Sequence, residues 1–312
     1  MSFDANSIVI YAKKESTYGT DAAPDTSNAV FGLIERPEIT PEIMENTNEE
    51  ISAGYNEKLS GAAVGSHWNI KMSFYLRGSG TNTASATDPP SIDPLLQACG
   101  LAYASQVYTP DSSIEPSATV WIHLDGKRYK APGSRFTFDL SVREDRKVII
   151  TFTGKGLYVE PDDSALPSVT DAEAVPIVAK SCAFSIGTVS SSEMIATNFE
   201  FNLGNDIAVD GDLNSATGVK EIIVTGRKTR IKTNPRMTAT SAHNLYSELI
   251  SGTSGALSIL FGQATDNKFT LAATTQWLGA PLGERNGKWV HEGLELKVAS
   301  NTDDGDWTLT LS

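Results

Sequence analysis

Four histidines, His67, His123, His243 and His291, are the side chains best suited to metal or proton chemistry, and their spacing offers neither. None has another histidine three or four residues away, and no His-Glu-x-x-His or paired-cysteine zinc spacing occurs. They are expected at solvated strand ends or in loops. Cys99 lies in an apolar helical run and Cys182 in a strand-like one, so both read as small core residues. Asp210, Asp212, Asn214 and Glu221 fall at positions one, three, five and twelve of a calcium-binding loop. Position six, which needs glycine for its sharp bend, is Ser215, and no helical pattern flanks the segment; an acidic solvated loop is the expectation. No Gly-x-Ser-x-Gly elbow is present, and Gly78-Ser79-Gly80 and Gly154-Lys155-Gly156 lack the helix that a phosphate-cradling loop requires. The carboxylate pairs Glu49-Glu50, Asp162-Asp163 and Asp303-Asp304 sit among turn formers. Trp68, Trp121, Trp277, Trp289 and Trp307 could build a sugar-binding platform, but their strand-like surroundings favour core or interface packing. The chain is therefore expected to be no enzyme and to carry no metal or cofactor.

Composition narrows the class further. The 312 residues carry a net charge of −13, which argues against ordinary nucleic-acid binding through displaced counterions. Apolar residues make up 40 % and charged ones 20 %, a globular balance. No basic segment followed by an apolar run opens the chain, and no window is apolar enough to span a bilayer. Synthesis and folding in a cytoplasm follow as the expectation.

Positioning elements are read from periodicity. Phe199, Phe201 and Leu203 alternate with Asn198, Glu200 and Asn202, which makes one strand face apolar and the other wet. A polar loop, Gly204 to Gly218, is expected next, then a strand from Glu221 to Thr229 ending in basic residues. The same grammar occurs earlier: Glu38 to Glu50, a soft loop from Ala53 to Gly65, then Trp68, Ile70, Met72, Phe74 and Leu76 alternating with polar residues. Short helices are predicted after each pair, one capped by Asp93 with Pro94 first and Gly100 last, the other capped by Ser241 and ended by Gly252. Strands Thr119–Leu124, Lys127–Lys130, Arg135–Val142 and Lys147–Thr153 follow the first helix. Ala256–Phe261, Lys268–Leu278, Lys288–Val298 and Trp307–Leu311 follow the second, the last two joined through Asn301 to Gly305.

The repetition predicts a mainly β chain of two tandem units. The boundaries are an N-terminal arm over 1–30, a first β domain over 31–160, a linker over 161–176 rich in Pro and Asp, and a second β domain over 177–312.

The passage Tyr11-Ala12-Lys13-Lys14-Glu15-Ser16-Thr17-Tyr18-Gly19-Thr20-Asp21-Ala22-Ala23-Pro24 resembles the start of tail tube (major tail) proteins of long-tailed bacteriophages. Leu76 to Thr81, Asp93 to Leu101 and Lys130 to Phe136 extend the likeness through the first half. The resemblance implies a β-sandwich or small barrel with one short helix in each unit. Its inner strands would join those of neighbouring chains in a shared barrel around a channel. It implies stacked rings: a trimer with pseudo-sixfold symmetry if the halves are true copies, a hexamer with a decorating domain otherwise. Implied partners are further copies of the chain, a tape-measure protein and DNA in transit, within a virion tail assembled in the host cytoplasm. Glu38, Glu42, Glu45, Glu49, Glu193, Glu200 and Asn202 are then candidate channel-facing residues, giving a wet face of acidic and neutral groups that repels phosphate. Tyr55, Asn56, Glu57 and Lys58, with Asp206, Asp210, Asp212 and Asn214, are candidate ring-stacking residues. The competing reading is a β-rich carbohydrate-binding or adhesin module built on the tryptophans.

Overall fold

A computed structural model describes residues 7–46, 62–79, 89–144, 146–171, 174–187, 195–215, 217–241, 243–262, 264, 267–299 and 304–312. It is mainly β, as the alternating patterns require. The first part holds β1 (Ile8–Lys14), β2 (Ala29–Val30), β3 (Glu38–Asn46), β4 (Ala62–Tyr75) and helix α1 (Asp93–Gln97). Then come β5 (Leu101–Ala104), β6 (Val107–Pro110), β7 (Ala118–Leu124), β8 (Lys127–Arg143), β9 (Ile149–Leu157) and β10 (Asp162–Asp163). The second part holds β11 (Ala183–Ile186), β12 (Asn198–Asn202), β13 (Asn205–Gly211), β14 (Val219–Arg227), β15 (Arg230–Thr233) and helix α2 (Leu245–Ser251). It ends with β16 (Ser254–Phe261), β17 (Phe269–Gly279), β18 (Leu282–Arg285), β19 (Lys288–His291), β20 (Leu294–Val298) and β21 (Trp307–Leu311).

Antiparallel ladders set the first run in the order β3-β4-β9-β8-β7-β1. The second run has the order β12-β15-β20-β17-β16-β11. The chain visits the corresponding strands of both runs in the same sequence, with the helix after the second strand of the leading hairpin each time. The runs meet edge to edge where β12 lies antiparallel to the end of β8, Phe201 opposite Leu140 and Phe199 opposite Val142. A second join pairs β21 with β6.

Strand periodicity explains the core. Trp68, Ile70, Met72 and Phe74 of β4, Phe136, Phe138 and Leu140 of β8, and Phe199 and Phe201 of β12 all point inward and are buried. Phe138 stacks on Phe201 at 5.6 Å, and Trp307 meets Phe201 edge-on at 4.9 Å, so aromatic packing crosses the join.

Several local expectations are corrected. The strand predicted to break between Lys130 and Arg135 continues as β8, because a bulge opposite Ala118–Val120 absorbs Pro132 and Gly133. Lys288–Val298 is two strands, split at Glu292 and Gly293. β20 and β21 do not pair with each other; both lie antiparallel to β17, end to end along one edge. Asp93 is not the cap of α1. Ile92 holds that position, while the Asp93 carboxylate accepts from Gln97 and Tyr108. Asn244, not Ser241, caps α2, accepting from the Ser247 amide. At the start of the stretch 161–176, Asp162 pairs with Arg128 in a short ladder, and the Ser164 amide donates to Gly126.

Candidate functional site

The polar face of the sheet is the first candidate surface. Its strands present alternate residues: Glu38, Thr40 and Glu42 from β3, Asn69 and Lys71 from β4, Thr153 and Lys155 from β9, and Thr137, Asp139 and Ser141 from β8. Glu200 and Asn202 come from β12, Arg230 and Lys232 from β15, and Glu295 and Lys297 from β20. The expected acidic and neutral face is therefore corrected to one of mixed charge. Antiparallel register sets Lys71 opposite Glu38, with Nζ 3.4 Å from the carboxylate, and sets Lys232 between Glu200 and Glu295. Arg230 reaches Glu295 at 3.8 Å, Arg143 reaches Glu200 at 3.8 Å, and the Asn202 amide donates to Asp139. Glu42 takes a 2.7 Å hydrogen bond from Asn69 and lies 3.1 Å from His67 Nε2; these contacts hold its carboxyl below the usual range, the Asn69 bond most. Reading strands singly hid this lattice, because the lysines and arginines arrive from neighbours across the ladder.

Glu38, Glu42, Glu200 and Asn202 thus share one face. The Glu45 side chain, Glu49 and Glu193 lie outside the described residues, as do Tyr55, Asn56, Glu57 and Lys58.

The second candidate surface is an arm. The expected long loop Gly204–Gly218 is corrected: β13 and β14 form a two-stranded ladder, with a turn beginning at Asp212, whose carbonyl accepts from the Ser215 amide. With β12 and β15 they make one long hairpin, broken at Gly204. There φ is +68, and a Cβ would come within 2.3 Å of the Lys228 carbonyl oxygen, so glycine is required at the bend. Sequence reading missed the strand because Asp, Ala and Gly mask the alternation of Ile207 and Val209, which face Val224 and Ile222 across the ladder.

The arm crosses the first run. Ile222 is fully buried and its amide donates to the Tyr18 hydroxyl at 2.5 Å. The Ser66 amide donates to Thr217 at the arm's turn. At its root, the Asn205 amide nitrogen donates to the Cys99 and Phe136 carbonyls. Arg227 donates to Asn205 Oδ1 at 2.9 Å and to the Gly100 carbonyl at 3.1 Å, placing a cation beside the carboxy-terminal end of α1. Asp206 and Asp210 lie on the opposite face of the arm from Ile207 and Val209, and Asp212 and Asn214 form its turn. Lys220 Nζ lies 3.3 Å from Glu221 and 4.0 Å from Asp210, so a protein cation already serves those carboxylates.

The N-terminal motif has a structural centre that sequence reading passed over. Glu15 is buried, and its carboxylate accepts from the Gly19 and Gly133 amides and from the Ser117 and Thr119 hydroxyls, at 2.6–2.8 Å. Beside it Tyr18 packs on the Arg135 guanidinium at 5.0 Å, and burial drives its hydroxyl up to about 12.

The histidine expectation is also corrected: His67, His123 and His291 are buried rather than solvated. Burial moves all three below the ordinary histidine range, His123 to about 4 with help from Arg128 and Lys130. Among the described residues no group of His, Cys, Asp and Glu is arranged to hold a metal ion. The tryptophans do not form a platform. Trp68, Trp277 and Trp307 are buried, Trp121 lies under the Arg128 guanidinium at 4.4 Å, and Trp289 is exposed.

A family model described as phage tail tube protein matches residues 5–289. The chain belongs to the phage tail tube protein family. No curated protein matches it. As a tail tube protein it is a structural subunit of the virion tail that self-assembles into the tube, which leaves the carbohydrate-binding reading without support. Among the described residues no helix is long and apolar enough to cross a membrane.

Proposed function

We propose that the two runs are tandem tail-tube units, over 31–160 and 177–312, so that three chains make a ring of six units around a channel for phage DNA. The observation that carries this reading is the repeated neighbour order, joined edge to edge at β8 and β12. A closed ring constrains the number of units around its axis, and one chain that supplies two units in series supplies a third of a sixfold ring. A single-unit ring of six chains with a decorating second half is disfavoured, because the second run continues the sheet of the first.

The polar face is assigned to the channel wall. Its lysines and arginines alternate with carboxylates within a few ångströms, so their fields cancel beyond a Debye length of about 8 Å at physiological salt. DNA phosphates would meet neither a binding stripe nor a strong barrier, and passage without retention follows. The arm and the tip of the first hairpin are assigned to contacts between rings, with a tape-measure protein as the occupant of the channel before ejection. Negative-stain electron microscopy of the purified protein tests the reading. Hollow tubes or rings support it, and protein that stays monomeric at high concentration removes it.

A further inference from the structure

If three chains close a ring, each chain must present two complementary open edges, and the internal join shows which edges these are. Within the chain, β12 has β15 on one side and β8 on the other. Its counterpart in the first run, β3, has only β4 among the described residues. The counterpart of β8 is β17. The end of β8 carries β9 on one edge and β12 on the other. Past Gln276, where β16 stops, β17 carries β20 on one edge, and no described strand covers the other. β18 continues that line and pairs only with β19.

Side-chain exposure follows the same division. At the internal join the inward residues of β12, Phe199 and Phe201, are 2 % and 1 % exposed. On the open edges the inward-facing Ile43 is 56 % exposed and Leu282 58 %. Apolar side chains beside unpaired backbone donors and acceptors mark edges that await a strand. Pro41, in the middle of β3, limits the ladder it can form to a short one, comparable to the five residues of β12 at the internal join.

We propose that the outer edge of β3 pairs antiparallel with the open edge running from the end of β17 into β18 of a second copy of this chain. The seam between chains then repeats the seam within the chain, and three repetitions close the ring. This rests on the tube reading above and adds to it the two edges that meet.

The test uses the full chain in a Cys182→Ser background. Ile43→Cys protein is mixed with Leu282→Cys protein, assembled and oxidised. A disulfide-linked dimer should appear only in the mixture. Hydrogen exchange on the unmutated chain gives an independent reading: amides of 38–43 and 277–285 should slow on ring formation. Rings that form without mixed dimers or slowed exchange overturn the seam alone, and so does a dimer from Ile43→Cys by itself. A chain that forms no rings overturns the tube reading, and this seam with it.

Discussion

Glu15 shows how a short motif can serve the fold rather than a reaction. Four donors converge on one buried carboxylate, joining the N-terminal passage to β7 and to the bulge of β8. Removing it leaves two hydroxyls and two amides without an acceptor, at 1–3 kcal/mol for each group that stays dry. Glu15→Ala should therefore cost about 2–4 kcal/mol in urea denaturation, once water has reached part of the site. Glu15→Gln should cost less, and a loss under about 0.5 kcal/mol for the alanine variant would contradict this role. His123 supplies a pH effect. Its folded value of about 4 lies below the ordinary 6.5, so the unfolded chain binds more protons between those limits. Its contribution is complete above 6.5 and is lost as pH falls toward 4. His67 and His291 shift the same way, so His123→Phe should reduce the acid loss without abolishing it. Thermal unfolding at about pH 7 and about pH 4.5 measures this, and equal losses in variant and parent would contradict it.

At the scale of elements, the join between the runs depends on aromatic packing more than on the surface charges above it. Phe201 is 1 % exposed and contacts both Phe138 of the first run and Trp307 of the last strand. Phe201→Ala should destabilise the chain by about 3–5 kcal/mol, as truncation of a fully buried phenylalanine does. The surface pairs Lys71–Glu38 and Arg230–Glu295 should each contribute below about 1 kcal/mol. A Phe201→Ala cost near the surface-pair value in chemical denaturation would show that the join is not packed as described. The element scale also explains what sequence reading could reach. Long alternations such as Trp68 to Leu76 and Phe136 to Leu140 revealed the strands, since burial on one face imposes period two. The arm stayed hidden because Asp, Ala and Gly interrupt its alternation and because its anchor, Ile222 on Tyr18, joins residues far apart in sequence. The buried histidines and Glu15 were missed because their burial comes from partners far away in sequence, such as Tyr11 for His123 and Ser117 for Glu15.

For the whole molecule, the repeated neighbour order was visible beforehand as repeated grammar, although few identities are shared between the halves. Pairing across strands was not visible, and pairing decides the character of the polar face. Glutamates that looked like an acidic wall from β3 and β12 alone become members of a balanced lattice once β4, β15 and β20 lie beside them. If this face lines the channel as proposed, passage of DNA would rest on local charge cancellation rather than on repulsion. The central claim is that the chain forms rings of three copies with six similar units around the channel. End-on averages of assembled tubes in the electron microscope, combined with the mass of a single ring, measure this directly. The account predicts six similar densities around a central hole and a ring mass three times that of the 33.4 kDa chain. A ring of six chains, or an average without sixfold modulation around the hole, would contradict it.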